Sequence, residues 1–332
     1  MRVHVVKPWP TASLTRRAAR LAETIDATAG RARSRIHVIG HSSGGIDARL
    51  FASPGVTLPT EVNVERLAAR LRTVVTVSSP HRGTPLAAFL STRLGEQALE
   101  LISLSTIYLL RYGHLPLTTM LQLGGIFARL DNAVLNSAVL DEFFSLLLAK
   151  FSSGRRRAVE KLFKEIAEDR ALLVQLTPDA MRVFNATVHD RPGVQCLSIV
   201  TRAARPGLAT ARATGFDPSG QALHAVWGTL HNLTAAASSS ERVPLSRSQA
   251  SALRRAYGKI PSSHSNDGIV PTTYQVWGKV LAALDGDHLD VIGHFSDPSR
   301  TPPHVDWMTT GSGFTRKRFE SVWSSVAAHI LA

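Results

Sequence analysis

The sequence predicts a mixed α/β fold: a mostly parallel sheet with helices on both faces, split by a helical insertion. Three observations carry this. Short β-branched runs alternate with amphipathic helical patterns from Val3 to Ser78. The alternation stops after Pro85 and gives way to a long helical stretch. It resumes near Val194 with another β-rich run. Strand–helix–strand alternation implies parallel pairing, because each crossover needs a helix to return the chain.

Val3 to Val6 reads as a short buried strand closed by Pro8 and Pro10. Leu14 to Thr28 reads as a helix, with Thr11 or Ser13 near its start and Gly30 past its end. Arg35 to Ile39 is a second strand, and helical signals return from Gly45 to Phe51. Thr73 to Ser78, "TVVTVS", is a third strand that ends in "SPHRGTP". Leu86 to Asp179 is almost all helical. Within it, Arg157 to Leu176 places Val159, Leu162, Phe163, Ile166 and Leu173 on one face, with a Glu160–Lys164 pair on the other. The sheet resumes at Val194 to Val200. Gln275 to Leu284 is expected as a further strand and Phe314 to Ile330 as a closing amphipathic helix. The expected organisation is one core made of residues 1–85 and 190–332, with residues 86–189 as a helical lid or cap.

The bulk composition excludes several classes. At 332 residues and 44% apolar, the chain can bury a sizeable core. Its net charge of +13 would suit nucleic acid or an anionic surface. The densest basic runs, Arg155 to Arg157 and Arg316 to Arg318, are short, and no zinc-finger or RNP-type pattern accompanies them. No nucleic-acid partner is expected. Cys196 is the only cysteine, so the chain has neither an intrachain disulfide nor a Cys-based zinc site. The opening "MRVHVVKPWP" lacks the pattern of a signal peptide, and the localisation is left unassigned. Leu99 to Leu130 is interrupted by Glu100, Arg111, His114 and Arg129, poor material for a membrane span. Its run "LELISLSTIYLL" is nonetheless apolar enough to suggest a lid that touches lipid.

The chemistry centres on Gly40-His41-Ser42-Ser43-Gly44, which follows a β-branched run directly and opens a helical pattern. A strand–turn–helix context is what a nucleophile elbow needs. At an elbow Ser42 is forced toward positive φ, which presents its hydroxyl at the end of the sheet. Gly40 and Gly44 are expected to provide clearance, and Gly45 closer packing still. The helix start aims free N–H groups beside Ser42, with the Ser43 N–H a natural oxyanion donor. The alternative is a Gly-rich turn capped by serine.

A serine needs a base, and the base an acid. "SNDGIVPTTYQVWGKVLAALDGDHLDVIGHF" supplies both. Asp267 precedes the expected strand and His288 follows it. His264, His294 and His304 are rivals that no strand introduces in this way. Asp285, Asp287 and Asp290 lie too near His288 in sequence to reach its Nδ1 from a separate loop.

These blocks resemble the α/β-hydrolase superfamily, and more narrowly the bacterial triacylglycerol lipases and esterases. "HVIGHSSGGIDARL" is similar to their G-H-S-x-G-G elbow, "VSSPHRGTP" to the segment after the next strand, and "SNDGIVP" with "DHLDVIG" to their acid and histidine loops. The resemblance implies Ser42 as nucleophile, His288 as general base and acid, and Asp267 as the orienting acid. It implies the Ser43 N–H as half of the oxyanion hole, and a lid within the insertion. It implies acyl-ester or lipid substrates, lid contact with a lipid interface, and no cofactor. Some of these lipases hold calcium near the histidine loop. Asp290 matches one ligand position, but His294 stands where a Gln is expected and Glu241 is the only acid nearby upstream of Asp267, so no metal is expected. The family's earlier strands and its H-G oxyanion loop have no counterpart upstream of Ser42, so an N-terminally truncated hydrolase is expected. The expected function is a serine carboxylic-ester hydrolase working through an acyl-enzyme. The alternative is a non-catalytic lipid- or partner-binding protein on the same scaffold.

Overall fold

A computed structural model describes the chain except for residues 1, 31–33, 113–115, 129–142, 144, 150, 237–242, 301–303, 305, 307 and 332. Its frame is four strands: β1 (Ile36–His41), β2 (Leu71–Val77), β3 (Gln195–Arg202) and β4 (Lys279–Asp285). They lie in the order β1-β2-β3-β4, and every pairing is parallel. β-branched residues fill the strands because both faces are covered. Val74 packs with the helices α1 (Leu14–Ala29) and α2 (Ser43–Ala52). Its neighbours Val75 and Val77 point the other way, with Leu197 and Ile199, onto Val322 and Val326 of the closing helix Arg316–Leu331. Val200 meets Leu253 and Tyr257 of the helix Arg247–Tyr257.

α1 forms where expected. The Ser13 side chain accepts the Arg16 N–H at its start, and Leu14, Ala18, Leu21, Ala22 and Ile25 form the buried stripe. The expected strand at Val3 to Val6 does not form. Val3 and Val5 are more than three-quarters exposed. Among the described residues no strand lies beside them, and Arg17 draws the chain toward α1 by donating to the carbonyls of Trp9 and Pro10. An apolar alternation makes a strand only when a neighbour accepts its hydrogen bonds.

Two further elements differ from expectation. The helix expected over Arg157 to Leu176 is two helices, Ser153–Glu168 and Ala171–Gln175. Asp169 causes the break: its carboxylate accepts the Ala171 N–H and pairs with Arg16. Glu160 pairs with Arg156 at 3.0 Å rather than with Lys164, which faces Glu168. The strand expected from Gln275 begins only at Lys279. Thr272–Gln275 is a 3₁₀ turn, and Gly278, at φ 59°, redirects the chain where a Cβ would meet the Cys196 carbonyl at 2.2 Å.

In the insertion, "LELISLSTIYLL" falls in the helix Arg93–Tyr112. Leu101 and Leu104 are buried with Met120, Leu123 and Phe127 of the helix Leu117–Ala128 and with Trp227 of the helix Pro218–Ala236. The run therefore serves a core. No described helix is long and apolar enough to cross a membrane. Gly124 lets the second and third of these helices approach, since a Cβ there would stand 3.0 Å from Ala222.

Candidate active site

β1 ends at His41, and the chain turns sharply into α2. Ser42 sits at φ 53° and ψ −130°, a backbone state that costs a non-glycine residue about 1–3 kcal/mol. Its N–H donates to the Val77 carbonyl at 2.9 Å, and its carbonyl accepts the Gly45 N–H. A Cβ at Gly40 would stand 2.2 Å from the Gly44 carbonyl oxygen. A Cβ at Gly45 would stand 2.8 Å from that of Ser79. Nothing lies within 4 Å of the Cβ position of Gly44. The clearance therefore comes from Gly40 and Gly45, and the expectation for Gly44 fails because its Cβ direction leads into open space.

Ser43 opens α2, and its hydroxyl accepts from Nη2 of Arg17 at 3.1 Å. Arg17 is buried and uses all its donors. Nε and Nη2 grip the Asp47 carboxylate, and Nη1 holds the carbonyls of Trp9 and Pro10. A buried ion pair is tolerable only when its remaining donors are satisfied in this way. The network joins the segment before α1 to the first turn of α2.

Asp267 and His288 come together. His288 Nδ1 lies 2.9 Å from Asp267 Oδ2, and the His288 N–H donates to the Asp267 carbonyl. Asp267 is fully buried. Its Oδ1 accepts the N–H groups of Ile269 and Val270, and its Oδ2 accepts from Thr201 and Gln275 as well as His288. Burial pushes this carboxyl up. The charge and hydrogen bond of His288 and the two amides outweigh that and hold it below its ordinary value.

His41, the residue before Ser42, lies against His288 with ring centroids 4.7 Å apart. Its Nε2–H donates to the His288 carbonyl at 2.8 Å. Burial first, then the neighbouring His288 charge, lowers its pKa to about 3, so it brings no charge to the site. Of the expected site residues, His288 and Asp267 are joined directly, and His41, the residue before Ser42, packs on His288; among the described residues no hydrogen bond joins the Ser42 hydroxyl to His288. The rivals point elsewhere. Asp285 pairs with Arg202, His264 lies on the Ala235 carbonyl, and His294 packs at a tilt against His304.

Sequence reasoning missed Arg17, Thr201 and Gln275. Thr201 and Gln275 meet Asp267 from distant or unpatterned positions, so spacing gives no signal for them. It also missed an acidic cluster. Asp287, Asp290 and Asp306 each place an oxygen within 4.8 Å of the others. Asp287 Oδ2 and Asp290 Oδ1 are buried without a partner. Burial and mutual repulsion push Asp287 and Asp306 well above the usual carboxylate range, and burial brings Asp290 to about 6. Three converging carboxylates with orphaned oxygens fit a hard divalent cation. Glu241 lies outside the described residues, and the third carboxylate is that of Asp306, which reaches the cluster from beyond the histidine loop and carries no signal in the sequence.

No family model matches the chain, and no curated protein matches it. Solved structures do. Lipase 1 from Pelosinus fermentans is 16% identical with a TM-score of 0.51, covering 99% of this chain and 88% of that one. A metagenomic carboxyl esterase is also 16% identical, with a TM-score of 0.49 over 98% of this chain, and the chain spans 64% of that protein's length. Staphylococcus hyicus lipase is 12% identical with a TM-score of 0.48, covering 98% and 84% of the two chains. The likeness is one of fold: four parallel strands and flanking helices arranged as in the Pelosinus fermentans lipase.

Two outcomes are expected. Gly40→Ala should lower unfolding free energy by about 1–3 kcal/mol or more through its backbone clash, while Gly44→Ala should be neutral or better. Urea denaturation of both variants checks this. Calcium should raise Tm and a chelator lower it, with a gain of about 2.7 kcal/mol at a hundred times Kd. Asp306→Asn should abolish that response, and a Tm indifferent to calcium would remove the cation from the account.

Proposed function

We propose that this chain is a serine hydrolase of carboxylic esters, with Ser42, His288 and Asp267 as its triad. One observation supports the reading: a buried Asp267–His288 bond whose imidazole packs on His41, the residue that precedes a serine held at positive φ between a strand and a helix. Asp267 accepts from Nδ1 of His288, which fixes the tautomer and leaves Nε2 as the acceptor. In the proposed reaction the Ser42 hydroxyl attacks the acyl carbonyl as His288 Nε2 takes its proton. The negative oxygen of the tetrahedral intermediate is met by the Ser43 N–H and the start of α2. Collapse expels the alcohol, which receives the proton from His288. Water, activated by the same imidazole, then releases the acid from the acyl-enzyme.

The substrate class is an acyl ester or lipid, with the helices of residues 86–189 as the cap over the acyl chain and the surface presented to a lipid interface. Asp287, Asp290 and Asp306 would hold a divalent cation, which supplies a fixed positive charge that ties the histidine loop to the segment around Asp306. Neither it nor any cofactor takes part in the covalent steps proposed here.

A fluorophosphonate probe should label the protein at Ser42, and Ser42→Ala should abolish both labelling and hydrolysis of a short nitrophenyl ester. Asp267→Asn should lower kcat by about 10⁴, as in the Ser-His-Asp template. Labelling that persists in Ser42→Ala would exclude this reading. If the cap touches lipid, hydrolysis should also rise when an ester is presented as an emulsion.

A further inference from the structure

Asp267 is held by more than its histidine, and the extra contacts form an ordered chain. Thr201 is the last residue but one of β3 and Ser78 follows β2, so parallel pairing brings them close. Ser78 Oγ lies 2.7 Å from Thr201 Oγ1, and Thr201 Oγ1 lies 2.8 Å from Asp267 Oδ2. All three residues are fully buried. An ionised carboxylate only accepts, so the single proton of Thr201 goes to Asp267 at 2.8 Å in preference to its second, more distant acceptor, Gln275 Oε1 at 3.1 Å. Thr201 then receives the proton of Ser78.

Gln275 closes the shell from the opposite side. Its Oε1 accepts the Thr201 N–H at 2.7 Å, and its Nε2 faces Asp267 Oδ2, the Thr201 carbonyl and the Val270 carbonyl. Reversing the amide would set its oxygen against three acceptors, so these partners fix its orientation. This also explains why Gln275 lies in a 3₁₀ turn instead of extending β4.

Ser78 sits at φ 50°, and it and Ser42 are the described non-glycine residues at positive φ. The two strained serines lie at the ends of adjacent strands, where Ser42 donates to the Val77 carbonyl. The strain at Ser42 presents a hydroxyl outward. At Ser78 it turns a hydroxyl inward onto Thr201. Strained backbone persists where the surroundings over-determine it and concentrates at functional sites.

We propose that Ser78, Thr201 and Gln275 are positioning residues for the reaction, a hydroxyl relay and amide clamp that aim the Asp267 carboxylate at His288. The inference rests on the triad reading above and adds the groups that hold its acid. A merely structural tie between β3 and the Asp267 loop would survive loss of the hydroxyl with shape retained. A positioning shell would not.

The test uses the whole chain and the isosteric change Thr201→Val, paired with Thr201→Ser, which restores a hydroxyl. Thr201→Val should lower kcat for a nitrophenyl ester about 10- to 100-fold, the worth of one hydrogen bond to a charged group, at unchanged KM. Thr201→Ser should recover most of the loss. The downfield imidazole N–H resonance, assigned by its disappearance in His288→Ala, should move in Thr201→Val and return in Thr201→Ser. A Thr201→Val protein with wild-type kcat and an unmoved resonance would overturn the inference, as would a Thr201→Ser variant no better than Thr201→Val. Should Thr201→Val not fold, Ser78→Ala removes only the outer hydroxyl and should move the resonance the same way by less; an unmoved resonance there is equally contrary. Absence of ester turnover in the wild type, or turnover retained in Ser42→Ala, would instead count against the hydrolase reading, and the resonance would still decide on the shell.

Discussion

The left-handed backbone at Ser42 is the constraint around which this end of the sheet is arranged. It is unfavourable for a residue with a Cβ, so it persists only where its neighbours allow nothing else. β1 fixes the approach, and the Val77 carbonyl on β2 captures the Ser42 N–H. α2 fixes the exit. Gly40 and Gly45 remove the side chains that would force strand and helix apart. Arg17, with Asp47 and the Ser43 hydroxyl, anchors the first turn of α2 to the segment before α1. Each contact is ordinary by itself. Their combined effect is a hydroxyl presented on a rigid turn.

The second requirement is electrostatic. A carboxylate with no exposure is costly to bury and is tolerable only when its oxygens are saturated with donors. Asp267 meets this with two backbone amides, a hydroxyl, an amide side chain and an imidazole. Those donors come from β3, from its own turn, from the 3₁₀ turn and from the histidine loop. The polar cluster therefore joins four parts of the chain around a single Asp267–His288 hydrogen bond. The acidic trio around the histidine loop shows the contrast: burial and mutual repulsion, with two oxygens left unpartnered, raise the proton affinity of Asp287 and Asp306.

Much of this was legible in the sequence, for physical reasons that differ from element to element. The elbow was visible because a strand, a turn and a helix follow one another within a few residues, and their glycines are local. Even so, the spacing pointed to Gly44, whereas three-dimensional clearance depends on Gly45. Asp267 and His288 were visible because turn residues bracket a strand. The strand expected at Val3 to Val6 was misread because alternation reports only a preference for a half-buried surface, and the segment is held instead by Arg17 at the carbonyls of Trp9 and Pro10. Gln275 was read into β4 because periodicity ignores a side chain committed to a distant carboxylate. Thr201, Ser78, Arg17 and Asp306 carried no local signal, since each acts through a partner that only the fold brings near.

The most direct measurement of the central claim is a crystal structure of the protein after reaction with a phosphonate ester. The account predicts phosphorus bonded to Ser42 Oγ, with Ser42 still at positive φ and a phosphonyl oxygen turned to the Ser43 N–H. His288 Nε2 should lie about 3 Å from the serine oxygen, within hydrogen-bond reach. Phosphorus on another side chain, or an imidazole turned away from a Ser42 adduct while still bonded to Asp267, would contradict it.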